Sequence, residues 1–258
     1  NGVIVITTKT GSGLARSKGF EVEVSHTTSF LEVANLPEFQ NQYGQGADNT
    51  INTTYFGTWG ARFNGQEVPH HLSIPAYANS FPEYQGATDI YRAHPNNVND
   101  FFDVGVGNIT SLLISNTTDK NSVNFSYSKS DQVGYVEENK LVRDNFSFGS
   151  KTTLSNKLSL NTSVLYSKTV DTRPTRNFFT LLTWIPRNLD IHNLPYQDPN
   201  DGSSVYYRVT ITNPIWQQKN SQFKEDADRL FMKAQLDYEL NDNIKLSSLD
   251  NLVVEFVE

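Results

Sequence analysis

The feature that most restricts this chain is the stretch from Arg229 to Leu240. Leu230, Met232, Ala234, Leu236, Tyr238 and Leu240 take the even positions, and Arg229, Lys233, Gln235, Asp237 and Glu239 the odd ones; Phe231 is the exception. A helical stripe through Leu230 would have to bury Lys233 and Asp237. A strand, whose successive side chains point to opposite faces, separates the two sets. The segment therefore reads as a strand with one apolar and one wet face.

The same period recurs along the chain. Phe20, Val22 and Val24 oppose Glu21, Glu23 and Ser25; Val123, Phe125 and Tyr127 oppose Asn124, Ser126 and Ser128; Phe146 and Phe148 oppose Asn145, Ser147 and Gly149. In the next segment Leu158, Leu160, Thr162, Val164 and Tyr166 face one way and Ser159, Asn161 and Ser163 the other. Residues 107–117 alternate poorly, because Leu112, Leu113 and Ile114 run together, and are taken as a strand by position. Ile244-Lys245-Leu246 opens a seventh strand, while 249–258 lose the alternation and receive no assignment. The expected fold is all-β and antiparallel.

The connections alternate in length: long (31–105), short (118–121), medium (130–141), short (155–157), long (170–226), short (241–243). Within the second long one, 177–184 is expected to form a short helix or turn stopped by Pro186. Unperiodic loops this long count against a compact soluble domain. A transmembrane β-barrel carries them routinely, all on one side, opposite tight turns. Strands of about 9–11 residues cross a bilayer when tilted, and Tyr127, Tyr166 and Tyr238 would suit an interfacial aromatic girdle. A β-sandwich with core aromatics remains the other reading; the two differ in whether the apolar faces meet lipid or a second sheet.

Composition excludes other classes. A net charge of −7 and a pI near 5.3 argue against a nucleic-acid binder, which needs a basic surface. The absence of cysteine removes disulfide scaffolds and thiolate metal sites. No apolar run is long enough for a transmembrane helix, although strands that show lipid only every second residue keep a low mean hydropathy. No nucleophile elbow, phosphate loop or zinc-protease motif occurs, so no enzyme is expected. His70 and His71 with Glu67 fall short of a zinc site, since neighbouring histidines on an extended loop point apart and three or four converging ligands are needed. Asp198-Pro199-Asn200-Asp201-Gly202 misses the spacing of a calcium loop and reads as a turn. All three tryptophans, Trp59, Trp184 and Trp216, fall in the two longest connectors. Beside Asn and Gln they are the candidate substrate-binding residues, since aromatic faces stack on sugars or peptides while amides take their polar groups; packing within the loops is the alternative.

Five elements together resemble one family. Asn1-Gly2-Val3-Ile4-Val5-Ile6-Thr7-Thr8-Lys9-Thr10-Gly11 is similar to the last plug strand of the SusC/RagA-type TonB-dependent transporters. Tyr43-Gly44-Gln45-Gly46, Phe101-Phe102 with Gly105, Asp131-Gln132 with Gly134, and Asn213-Pro214 with Trp216 resemble landmarks of that family in the same order. The resemblance implies that 1–18 are the end of a plug domain and its linker, and that 19–258 are the first seven or so strands of a transmembrane β-barrel wall. Barrels of this kind close with on the order of 22 strands, so the chain is expected to be a piece of a larger protein. The resemblance further implies the Gram-negative outer membrane, import of oligosaccharides or peptides, energy delivered by TonB through a segment not present here, and a SusD-like surface lipoprotein as partner; from the residues themselves no cofactor or metal is expected. The rival reading is a secreted soluble β-domain that binds glycans through loop aromatics.

Overall fold

The computed structural model describes residues 19–174, 178–241 and 243–258. The expected plug strand and linker, 1–18, lie outside the described residues. The fold is all-β: β1 (Gly19–Leu31), β2 (Gly105–Thr117), β3 (Asn121–Val133), β4 (Lys140–Ser155), β5 (Leu158–Pro174), β6 (Gln222–Asn241) and β7 (Ile244–Val257) form one seven-stranded antiparallel sheet in chain order. Among the described residues each strand pairs only with its sequence neighbours, which leaves β1 and β7 as the two edges.

The register explains why these strands belong together. One cross-strand row reads Val22, Ile114, Phe125, Phe148, Val164, Met232, Leu252, and the next reads Val24, Leu112, Tyr127, Phe146, Tyr166, Leu230, Val254. Cross-strand partners share a face, so two complete rows of apolar and aromatic side chains cross the whole sheet on one side. The opposite face carries Glu23, Ser126, Ser147, Asn145 and Ser128, with Ser126 and Ser147 hydroxyls 2.6 Å apart. Among the described residues no second layer covers the apolar face: Val24 is 68% exposed, Phe148 41% and Leu252 53%.

Several boundaries differ from those expected. Residues 249–258 continue β7 almost to the C-terminal end: Leu252 and Val254 join the apolar rows, while Val253 pairs with Phe231 on the other face. Phe231 is also partnered by Leu165, so the exception in the β6 pattern belongs to a small apolar island on the polar face. Leu113 turns to that face too, opposite Glu23 and Ser126, which resolves the apolar triplet of β2. The medium connector shrinks to 134–139 and the second long one to 175–221, because pairing persists into polar residues such as Asp171 and Arg173, where alternation no longer marks a strand. Residues 32–104 hold two small ribbons, Gly46–Ala47 with Thr50–Ile51 and Glu67–Pro69 with Thr88–Ile90, and three short 3₁₀ turns. The connector 175–221 holds helices α1 (Phe178–Thr183), within the expected 177–184, and α2 (Pro214–Asn220).

By connectivity, all three longer connectors leave the same end of the sheet, and the tight turns lie at the other. Gly149 is buried on the polar face, where any Cβ would press on the Asn124 side chain. Gly149→Val is therefore expected to cost about 1–3 kcal/mol by overpacking, measured as a lower unfolding midpoint with the same strand content.

Candidate functional site: the connector cap

The two long connectors fold on each other into a cap with its own core. Val98 and Phe101 from the first pack with Leu182, Ile185, Leu189, Ile191, Tyr206 and Tyr207 from the second. A second cluster joins Leu72, Tyr77 and Phe81 to Val205. In the sheet the apolar side chains face out; in the cap they face in.

Buried polar groups fix how the connectors meet. Arg187, 3% exposed, donates from Nε and Nη2 to Asn41 Oδ1 at 3.2 and 2.6 Å and from Nη2 to the Pro95 carbonyl at 3.2 Å, and its guanidinium lies 5.2 Å from the Phe39 ring centre. The Tyr77 hydroxyl donates to the Tyr206 carbonyl and accepts from the Tyr206 amide. Asn97 donates to the Leu189 carbonyl and accepts from the Ile191 amide. Tyr43-Gly44-Gln45-Gly46 has a structural role here: the Gln45 amide donates to Asn188 Oδ1 at 2.7 Å, and the buried Tyr91 hydroxyl donates to the Gln45 carbonyl at 2.9 Å. Gly46 has φ +135°, a left-handed conformation that favours glycine. The cap is tied to the sheet rim by the Lys219–Glu137 ion pair at 2.9 Å and by the Asp103 amide donating to the Tyr135 carbonyl.

Across the cap run three adjoining clefts of about 340, 240 and 480 Å³. Asp100 and His192 line the first two, and His192 and Tyr196 the last two. In the first cleft His94 Nδ1 lies 3.3 Å from Asp190 Oδ2. Burial pulls the Asp190 carboxyl upward, but donors from Asn193 and His192 and the nearby His94 leave it below the usual carboxylate range. Burial lowers His94 despite Asp190. His192 Nε2 is 3.0 Å from the Asn97 carbonyl. The groove thus offers an ionised carboxylate, imidazoles, amides and the Tyr196 ring, which suit hydrogen bonding to a polar ligand. No sequence motif marked Asp190, His192 or Tyr196, because the groove forms only when the connectors meet.

The tryptophans take three separate places, and none lines these clefts. Trp59 is 70% exposed beside Tyr43, with ring centres 6.4 Å apart. Trp184 is 48% exposed just beyond α1. Trp216 is half-buried and donates from Nε1 to the Gly202 carbonyl at 2.8 Å, holding the 198–202 segment, which is a turn as expected. Asn213 caps α2 through Ile215 N, and Pro214 follows in the first turn; the Asn-Pro-x-Trp element therefore builds structure.

The histidine pair departs from expectation. His70 and His71 do not point apart; their rings lie 4.6 Å apart, and His70 stacks on Tyr84 at 4.4 Å. His70 Nδ1 accepts from the Leu72 amide. The pair packs as aromatics, and among the described residues no three His, Cys, Asp or Glu side chains group as metal ligands.

Two predictions follow from the cap's interior. Arg187→Met retains the stem but strands the Asn41 and Pro95 acceptors, and is expected to cost about 2–4 kcal/mol; limited proteolysis should cut the connectors faster while leaving the strands intact, with Arg187→Lys partly restoring protection. Burial, with His70 nearby, lowers His71 to about 3 from 6.5. The folded cap therefore binds fewer protons than the unfolded chain, so its stability is complete above about 6.5 and falls as pH drops from there towards about 3. Hydrogen exchange should show cap protection weakening over that window, less steeply in His71→Phe.

No protein-family model matches the chain, and no curated protein matches it in sequence.

Proposed function

We propose that this chain is part of the barrel wall of a SusC/RagA-type TonB-dependent importer in the outer membrane of a Gram-negative cell. Its apolar face meets lipid, and its connector cap lies outside. The imported material is an oligosaccharide or peptide, taken up beneath a SusD-like lipoprotein with energy from TonB.

The observation that carries this reading is the pair of unbroken apolar rows across all seven strands, exposed or half-exposed and with no second layer over them among the described residues. In water such a face would drive aggregation; in a bilayer it is the expected surface. The tyrosines support it. Tyr166 and Tyr238 lie near the two ends of this face on adjacent strands, with a mixed row of Ser150, Thr162, Ala234 and Asp250 between them: Tyr166 pairs with Leu230 and Tyr238 with Leu158, a separation of roughly 26 Å along the strand at about 3.3 Å per residue. Tilted by about 40°, that span projects to roughly 20 Å along the membrane normal, most of the apolar band of outer-membrane barrels, about 25 Å. Further strands joined to the edges β1 and β7 would complete the barrel. The exposure of Trp59 and Trp184 is what a soluble glycan-binding domain would offer, yet such a domain would also have to cover the apolar rows.

Because the chain lacks cysteine, Phe148→Cys and Ser147→Cys can each be labelled singly with an environment-sensitive fluorophore. In phospholipid vesicles the label at 148 should shift to the blue and be quenched by spin-labelled acyl chains, and the label at 147 should not. Equal quenching of both, or of neither, would overturn the membrane-spanning reading.

A further inference from the structure

The small apolar island on the polar face borders a cleft of its own. Leu165, Phe231 and Val253 are cross-strand partners on β5, β6 and β7 and are 47%, 39% and 66% exposed. Their neighbours on the same face, Ser163 and Ser167, Arg229 and Lys233, Asn251 and Glu255, are all polar. A cleft of about 420 Å³ lies against the island and runs towards the connector end. Asn145, Ser167, Arg229 and Glu255 bound it in the next row, and Arg143 and Thr169 in the row after.

Three charged side chains line this cleft, and two of them satisfy each other: Arg229 donates from Nη2 and Nε to Glu255 Oε1 at 2.7 and 2.8 Å. Arg143 is exposed, and its Nε donates to Thr169 Oγ1 at 3.1 Å. Among the described residues its guanidinium has no ion pair. Asp171, in the following row, is already paired with Arg173 at 2.8 Å. The cleft therefore carries one uncompensated positive charge, in a chain whose net charge is −7. With Nε held by Thr169, the guanidinium plane is oriented and its two Nη groups remain as a fork, the geometry that matches a carboxylate.

We propose that this cleft binds an apolar group that carries a carboxylate, with Arg143 as the anion contact, Ser167 as a hydroxyl donor beside it, and Leu165, Phe231 and Val253 as the apolar floor. A peptide end whose last residue is apolar and a free aliphatic or aromatic acid share this chemistry. An uncharged oligosaccharide offers neither the anion nor the continuous apolar surface. The site lies on the polar face, so it does not depend on what meets the apolar rows. In the importer reading this face is turned to the barrel interior, and the cleft lies beside the route of the cargo.

The test is equilibrium dialysis of the full chain in an uncharged detergent against three probes: N-acetyl-leucyl-phenylalanine, its C-terminal amide, and 4-phenylbutyrate. The dipeptide acid should bind on the order of 10-fold or more tightly than the amide, which cannot receive a charge-assisted fork. Arg143→Gln should bring the acid down to the affinity of the amide, and Phe231→Ser should weaken both. Lys151→Gln removes the same charge from the same face outside the cleft and should leave binding unchanged. Phenylbutyrate bound as tightly as the dipeptide acid assigns the cleft to apolar carboxylates at large; phenylbutyrate bound more weakly assigns it to peptide ends. Equal affinity for acid and amide, no binding of either acid, or equal weakening in Arg143→Gln and Lys151→Gln would overturn the proposal while leaving the membrane-spanning reading, which the label quenching tests, as it stands.

Discussion

The structure depends on cross-strand register. With a side-chain period of two, a slip of one residue would carry Val164, Met232 and their row to the polar face. Backbone pairing holds the ladder without interruption through the apolar rows. The register shifts occur at Thr153/Ser155 and Glu239/Asn241, beside the tight turns and outside those rows. Irregularity is thus confined to where no apolar row has to be kept continuous.

The cap obeys the opposite rule. Its apolar side chains turn inward, and its position is set by buried polar contacts such as Arg187 with Asn41 and Tyr77 with Tyr206. Each of these partners would be costly to leave unpaired in a low-dielectric interior, so one arrangement of the two connectors is strongly favoured over others. A packed cap on a regular sheet separates the two tasks of the proposed importer: the wall presents the apolar rows, and the connectors carry the clefts.

The strands were legible because alternation is a local property: Leu230 and Lys233 state their faces without reference to anything distant. Legibility failed in two ways. Where both faces of a strand are polar, as around Asp171 and Arg173, or mixed, as in 249–257, the period vanishes and only pairing with a neighbour shows the strand. In the cap the contacts are between residues far apart in the chain, Gln45 with Asn188 and Asn97 with Leu189, and no short window contains both partners. The tryptophans attracted attention through residue type alone, whereas the clefts use Asp190, His192 and Tyr196, whose roles come from position.

What the amino-acid sequence determined by itself is the all-β class, the strand faces and the gathering of the long connectors at one end, since each follows from side-chain period and connector length. Tertiary structure alone decided that the connectors form a packed cap, that the two histidines stack, and that Phe231 joins Leu165 and Val253. The physical reason is that these features arise from loop closure over many residues, and the free energy that selects them appears only once distant segments exclude water together.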